Sequence, residues 1–326
     1  MRAPHYRIPG LAFQRGRYNP GMTKSASVTH LRGTAIDDAH SDAFAMHAAR
    51  LIVTADDAHW LDAAAQAACG YGSSIIGCDA EVGVELHLEP EDTPDRRSGL
   101  ALLFFARSEE KLVAAVRNRT GQCLMTCPGT AVYDGLADAA DRAALGDWLG
   151  GFGDGHQRTA TRFNRPGVVI PVMEGEFFCQ ADLGIIPAVA GATLLIGGSE
   201  PTPTLAAARR AAEAIAPLPQ VITPFPAGVC RSGSKVGSRE GDLLASTHDR
   251  YCPTLRDKVD SLLPADVTCV YEIVIDGLSV EAVRDALRAA VSAAAGPSVS
   301  WLSSSNLGGR LGTIRLPLRE VVRSLH

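Results

Sequence analysis

Short apolar runs with the period of a strand alternate with Ala-rich stretches of helical period along most of this chain. Ala49–Ala55 (ARLIVTA) is a β-branched run suited to a buried strand. Asp56 and Asp57 follow, and either can cap an Ala-rich helix from His59 to about Cys69, which Gly70 and Gly72 end. Ser73–Gly77 reads as another strand, and Val82–Leu88 alternates like a third. Thr93–Gly99 (TPDRRSG) is a turn and Leu100–Phe105 a further buried strand, after which Ser108 caps a helix from Glu109 to about Asn118. We read the order as β-α-β-β-α, the ferredoxin-like arrangement.

Around Thr159–Gly167 the chain turns polar and loses its periodicity, which predicts a boundary near residue 169. Beyond it, strands are expected at Val168–Met173, Ala192–Ile196, Gln220–Thr223, Thr268–Ile275 and Val299–Leu302. Helices are expected at Pro203–Ala216 and Val280–Ala295. The second half thus repeats the element order of the first without repeating its residues.

Composition narrows the class. A chain of 326 residues with 46% apolar and 21% charged residues is a globular protein long enough for two domains. A net charge of −5 argues against nucleic acid or an anionic membrane as partner. No apolar run approaches the roughly 20 residues of a membrane-spanning helix. Eight cysteines in so long a chain read as reduced thiols, hence a cytoplasmic protein. The first 21 residues are basic, lack Asp and Glu, and have no apolar core of a signal peptide. Residues 1–30 are expected to be a disordered tail, or an extension ahead of a working start at Met22.

Chemistry concentrates in Thr223–Ser238 (TPFPAGVCRSGSKVGS), where prolines and glycines shape a loop carrying Ser232, Ser234, Ser238, Arg231 and Lys235. Such a loop can hold an anionic or carbonyl-bearing ligand through its hydroxyls, amides and cations. It is not a phosphate-binding P-loop, because Val236 follows Lys235 and the glycines fall out of order. Only four of the 31 basic residues are lysines, which singles out Lys235.

Other motifs are weaker. Cys123 and Cys127 have no second ligand pair at zinc spacing, and Gly150–Gly155 (GGFGDG) lacks the strand and helix of a dinucleotide fingerprint. Ser246–Lys258 (STHDRYCPTLRDK) brings together His248 and Asp249, suited either to proton transfer or to a solvated loop. In CVYEIVI, alternation puts Val270, Glu272 and Val274 on one strand face and Tyr271, Ile273 and Ile275 on the other. Glu272 therefore faces solvent, the plainer reading from the residues alone, or sits in a low-dielectric pocket that raises its pKa.

The segments CGYGSSIIGCDAEVGVE from Cys69, GQCLMTCPGTAVYD from Gly121, FGDG from Phe152 and VMEGEF from Val172 form an ordered series. It continues with the Thr223–Ser238 loop, ASTHDRYCPTLRDKV from Ala245, CVYEIVIDGL from Cys269 and NLGGRLG from Asn306. From about residue 31 onward this series resembles the formylmethanofuran:tetrahydromethanopterin formyltransferase family of methanogens and methylotrophic bacteria.

The resemblance implies an α+β fold of two ferredoxin-like lobes, here residues 31–169 and 170–326. It implies transfer of a formyl group between the amine of methanofuran and N5 of tetrahydromethanopterin, both C1 carriers being substrates, with no metal and no bound cofactor. It further implies a homo-oligomer, or a subunit of a formyltransferase/hydrolase complex serving formaldehyde oxidation in methylotrophs. By the YEIVI context the family's key carboxylate falls on Glu272, which the resemblance makes buried, protonated and directed at an oxyanion. Ser232, Ser234 and Lys235, with Tyr71, Ser73 and Glu174, are the corresponding candidates for holding the carriers. A non-catalytic assembly subunit that keeps the fold is the alternative function.

Overall fold

The computed structural model describes residues 29–240, 243–305, 312–323 and 325. The expected tail, apart from Thr29 and His30, and most of the Asn306 segment lie outside the described residues.

After a short hairpin, β1 (Thr29–Leu31) and β2 (Thr34–Ile36), comes the 15-residue strand β3 (His40–Thr54). Asp57 then caps α1 (Ala58–Cys69), its carboxylate accepting the His59 N–H at 2.7 Å. The strands β4 (Glu81–Leu88) and β5 (Gly99–Ala106) form an antiparallel pair, and Ser108 caps α2 (Glu109–Arg119). With β6 (Ala131–Asp134) this closes the lobe in the spatial order β6-β3-β5-β4, every neighbour antiparallel. That is the ferredoxin-like order, with α1 and α2 packing Leu61, Ala64, Leu112 and Val116 into one core.

One expectation fails here. Ser73–Gly77 is not a strand: the Ser74 carbonyl accepts the N–H groups of Gly77 and Cys78, and the Glu81 carboxylate takes the Ile75 N–H at 2.8 Å. The paired isoleucines that suggested a strand instead pack as a turn, and without that strand the lobe is β-α-β-β-α-β in full.

An appended meander follows. It comprises β7 (Asp141–Ala144), the short α3 (Gly146–Gly150), β8 (Arg158–Arg162), β9 (Arg165–Val172) and β10 (Gly175–Gln180). Residue 169 lies inside β9, which pairs with β8 on one side and β10 on the other, so the aperiodic stretch is a polar edge hairpin. The second lobe opens on the 17-residue β11 (Asp182–Gly198) and continues through α4 (Pro201–Ile215) and β12 (Val221–Ile222). A small hairpin of β13 (Lys235–Val236) and β14 (Ala245–Ser246) intervenes. Then come β15 (Cys269–Gly277), α5 (Val280–Ala294) and β16 (Trp301–Ser303), with β17 (Ile314–Pro317) and α6 (Leu318–Arg323) at the end. The order β16-β11-β15-β12 repeats that of the first lobe.

The two long strands join the lobes. Residues 186–190 of β11 pair antiparallel with residues 44–48 of β3, so each strand opens its own lobe and also extends the other's sheet. Past this join β11 bulges between Val189 and Ala192, with Gly191 at φ +79°. Among the described residues no helix is long and apolar enough to cross a membrane, and all eight cysteines are free.

A side chain at Gly191 would meet the Phe44 ring, a Cβ there lying 2.3 Å from its Cε1. Gly191→Ala should therefore cost about 2 kcal/mol in urea unfolding, whereas Gly77→Ala, with nothing within 4 Å, should stay within about 0.5 kcal/mol.

Candidate active site

In β15, Ile273 and Ile275 are fully buried in the core under α4 and α5. That fixes the register, so Glu272, Val274 and Asp276 must face the opposite side of the sheet. This side is covered. The Thr223–Ser238 loop runs along the β15 edge, and Cys230 exchanges two backbone hydrogen bonds with Glu272 at 2.8 and 2.9 Å. Gly228 and Gly233 adopt positive φ in this loop, and a Cβ on Gly228 would lie 2.7 Å from the Thr223 hydroxyl. Glu272 is only 4% exposed, so the solvent-facing alternative is excluded. Burial pushes its carboxyl up to about 7, with a hydrogen bond to Cys230 acting in the other direction.

Glu272 lies where two small cavities meet. One, of about 90 Å³, is walled by Cys230, Ser232, His248, Tyr251, Cys252 and Tyr271. The other, of about 30 Å³, is walled by Phe44, Ile75, Arg107, Thr193, Phe225 and Ser234. Phe225 also borders a groove of about 830 Å³ between α1 and α4, with Tyr71, Ser73, Val84 and His87 on its walls. The groove therefore reaches the second cavity around a single aromatic ring.

The sequence candidates divide accordingly. Ser232 and Ser234 flank Glu272 on its two sides, while Tyr71 and Ser73 lie out in the groove. Lys235 borders neither cavity; its Nζ is 2.7 Å from Asp249 Oδ2, with Arg239 on the same oxygen at 3.3 Å. Its ammonium thus has a carboxylate partner rather than a free position over the cavities. Glu174 is elsewhere: it accepts the Gly129 N–H at 2.9 Å and lines a separate cavity with Arg97, Tyr133 and Arg162. Cys123 and Cys127 are likewise remote, the Cys127 thiol donating to the Trp60 carbonyl at 3.2 Å.

His248, left open between proton transfer and a loop role, belongs to the site. Its ring packs on Tyr251 at 4.5 Å, Tyr251 packs on Trp301 at 5.8 Å, and the Trp301 indole N–H reaches Asp37 at 2.8 Å. Its Nδ1 is buried without a hydrogen-bond partner. Burial pushes the imidazole down to about 4, Asp249 opposing that shift and Lys235 and Arg250 adding to it. Arg107 and Thr193 were not anticipated; neither stands in a motif, and only the three-dimensional join of the lobes brings them beside Glu272.

Comparison with known proteins bears on the same region. The family model for formylmethanofuran-tetrahydromethanopterin formyltransferase matches residues 29–172, and that for its proximal lobe matches residues 175–321. The formyltransferase of Rhodopirellula baltica is 43% identical over 304 residues, covering 88% of this chain and 91% of that protein. That of Methylococcus capsulatus is 42% identical over 296 residues, covering 90% and 99%. Among solved structures, the formyltransferase/hydrolase complex of Methylorubrum extorquens with methylofuran superimposes with a TM-score of 0.86 at 38% identity. It covers 91% of this chain and 99% of the matched one.

The burial of His248 predicts that NMR titration of its imidazole has a midpoint near 4. Its contribution to stability is present above the unfolded value of about 6.5 and is lost as pH falls through about 4. A midpoint between 6 and 7 would mean that the ring is hydrated and not part of the enclosed site.

Proposed function

This chain belongs to the formylmethanofuran–tetrahydromethanopterin formyltransferase family, and we propose that Glu272 is the group on which its formyl transfer turns. The observation that carries this is a buried carboxyl, with its pKa raised to about 7, facing two cavities. The reaction moves a formyl group between the amine of methanofuran and N5 of tetrahydromethanopterin. The attacking nitrogen adds to the formyl carbon, the carbonyl oxygen becomes an oxyanion, and collapse of the tetrahedral intermediate expels the other nitrogen.

Protonated Glu272 is a neutral acid in a dry site, and its O–H is suited to hydrogen-bond that oxygen as charge develops. Two cavities on either side of one carboxyl suit a reaction that must bring two amines to one carbon. Neutral His248, whose ring borders the first cavity and whose buried Nδ1 has no hydrogen-bond partner among the described residues, is the acceptor at hand for the proton that the attacking nitrogen loses. Ser232 and Ser234 supply hydroxyls on the two sides, and Tyr71, Ser73 and Phe225 line the approach for an aromatic carrier. Lys235 acts through Asp249, holding the His248 segment against the loop. Glu174 has no part in this arrangement.

The likeness to a solved formyltransferase/hydrolase complex supports a working assembly in which hydrolase subunits accompany this chain. The eight free thiols support a reducing, cytoplasmic setting.

Glu272→Gln keeps an N–H donor and should retain more activity than Glu272→Ala, which should lose ~10²–10³ in kcat. Near-wild-type turnover in both would remove Glu272 from the chemistry. Since the protonated form is required, wild-type kcat should fall as pH rises through about 7, and the Gln variant should lack that limb. The same raised carboxyl contributes stability that is fully present below about 4.5 and is lost as pH rises through about 7. Lys235→Ala should raise KM more than it lowers kcat; an unchanged KM for both carriers would make the Lys235–Asp249 pair purely structural.

A further inference from the structure

Two further carboxyl groups are buried close to Glu272, and the chemistry above does not use them. Glu81, at the start of β4 in the first lobe, is 3% exposed, and Asp276, one turn of the pleat beyond Val274 on β15 of the second lobe, is fully buried. Each spends one oxygen on a backbone amide. Glu81 Oε1 accepts the Ile75 N–H at 2.8 Å, and Asp276 Oδ1 accepts the Gly191 N–H at 2.9 Å. The remaining oxygens, Glu81 Oε2 and Asp276 Oδ2, are buried with no hydrogen-bond partner among the described residues, and the two carboxyl groups lie within hydrogen-bonding reach of each other. Two carboxylate oxygens cannot face one another in a dry interior with both groups ionised, but they can share a proton, one group donating to the other.

The amides these carboxyls hold are not arbitrary. Ile75 belongs to the turn that replaces the expected strand, and Gly191 to the β11 bulge, where the ladder to β15 slips by a residue. Ile75, Gly191 and Glu81 itself line the cavity on the Ser234 side of Glu272. Burial pushes both carboxyls up; for Asp276 the charge of Glu81 adds to this, and for Glu81 the facing Arg107 opposes it. Arg107 and Cys78 are the charged and titratable groups acting on Glu81 from neighbouring segments, and Glu272 borders the same cavity.

We propose that Glu81 and Asp276 form a proton-sharing positioning pair that ties the 73–80 turn of one lobe to the Gly191 bulge of the other. This tie fixes the wall against which the carrier on the Ser234 side of Glu272 is seated. It rests on Glu272 being the reacting centre, but the shared proton itself does not. Neither residue is required to touch the formyl group. Their effect on catalysis passes through the placement of Ile75 and Gly191, and a displacement of about 1 Å there is worth on the order of 10² in rate.

The test compares Glu81→Gln, Glu81→Ala and Glu272→Gln in the full chain. An amide at residue 81 brings its own N–H to Asp276, so Glu81→Gln replaces the shared proton without needing one. Urea unfolding from pH 5 to 9 should show that wild type binds about one more proton when folded, from this pair, than Glu81→Gln does. That difference should persist in a Glu272→Gln background, which separates the pair from the reacting centre. In kinetics, Glu81→Ala should lower kcat/KM on the order of 10²-fold, mainly through the KM of one carrier, and Glu81→Gln should recover most of that loss. Should Glu81→Ala fail to fold, Glu81→Gln against Glu81→Leu gives the same contrast. Equal proton binding by wild type and Glu81→Gln would overturn the shared proton. Equal kinetic losses in the amide and apolar variants would overturn the positioning role. If Glu272→Gln left turnover intact while the proton difference remained, the pair would stand and its catalytic consequence would fall.

Discussion

Removal of one carboxyl group from water is the constraint on which the rest of this structure depends. Left in solvent, Glu272 would be an ordinary carboxylate, ionised at neutral pH and unable to donate a hydrogen bond. What removes it from water is spread across the chain. Ile273 and Ile275 anchor the opposite face of β15 beneath α4 and α5, which forces Glu272 to the far side. The Cys230 backbone runs along the strand edge, and Phe44 and Ile75 of the first lobe wall the cavity on its other side.

Neither lobe supplies the site alone. The two ferredoxin-like units are joined where β3 and β11 pair, and that join delivers Phe44, the Ile75 turn and Arg107 to a carboxyl belonging to the other unit. The bulge at Gly191 is part of the same junction: it lets β11 leave β3 and continue along β15 toward Leu195, which pairs with Glu272. Some of the polar groups gathered around this junction satisfy one another, as a low-dielectric interior favours. Lys235 meets Asp249, and Thr193 meets the Ser304 hydroxyl and the Ser305 amide.

Much of this is legible in the residues. The 3.6-residue and two-residue periods place the four long helices and eight of the seventeen described strands, because each of these buries an apolar face. The alternation through CVYEIVI assigns the two faces of β15 correctly. It does not say that the polar face is covered, since the cover comes from residues up to about two hundred positions away. The same limit explains Ser73–Gly77, where two β-branched residues suggest extension but the Glu81 side chain and Ser74 carbonyl capture the amides into turns. Lys235 stands out in composition, yet its partner Asp249 is invisible until the β13–β14 hairpin brings the segments together. Glu174 lies in a segment that carries the family likeness, but its place is on another cavity. Arg107 and Thr193 have no local signal at all.

The most direct measurement is the titration of the Glu272 carboxyl itself in the folded chain, by isotope-edited infrared or carbon NMR with Glu272→Gln as the assignment control. The expected midpoint is near 7, so that a substantial protonated fraction is present at neutral pH. A midpoint at the ordinary glutamate value of about 4.3 would contradict it, because the group would then be ionised and unable to donate to the oxyanion.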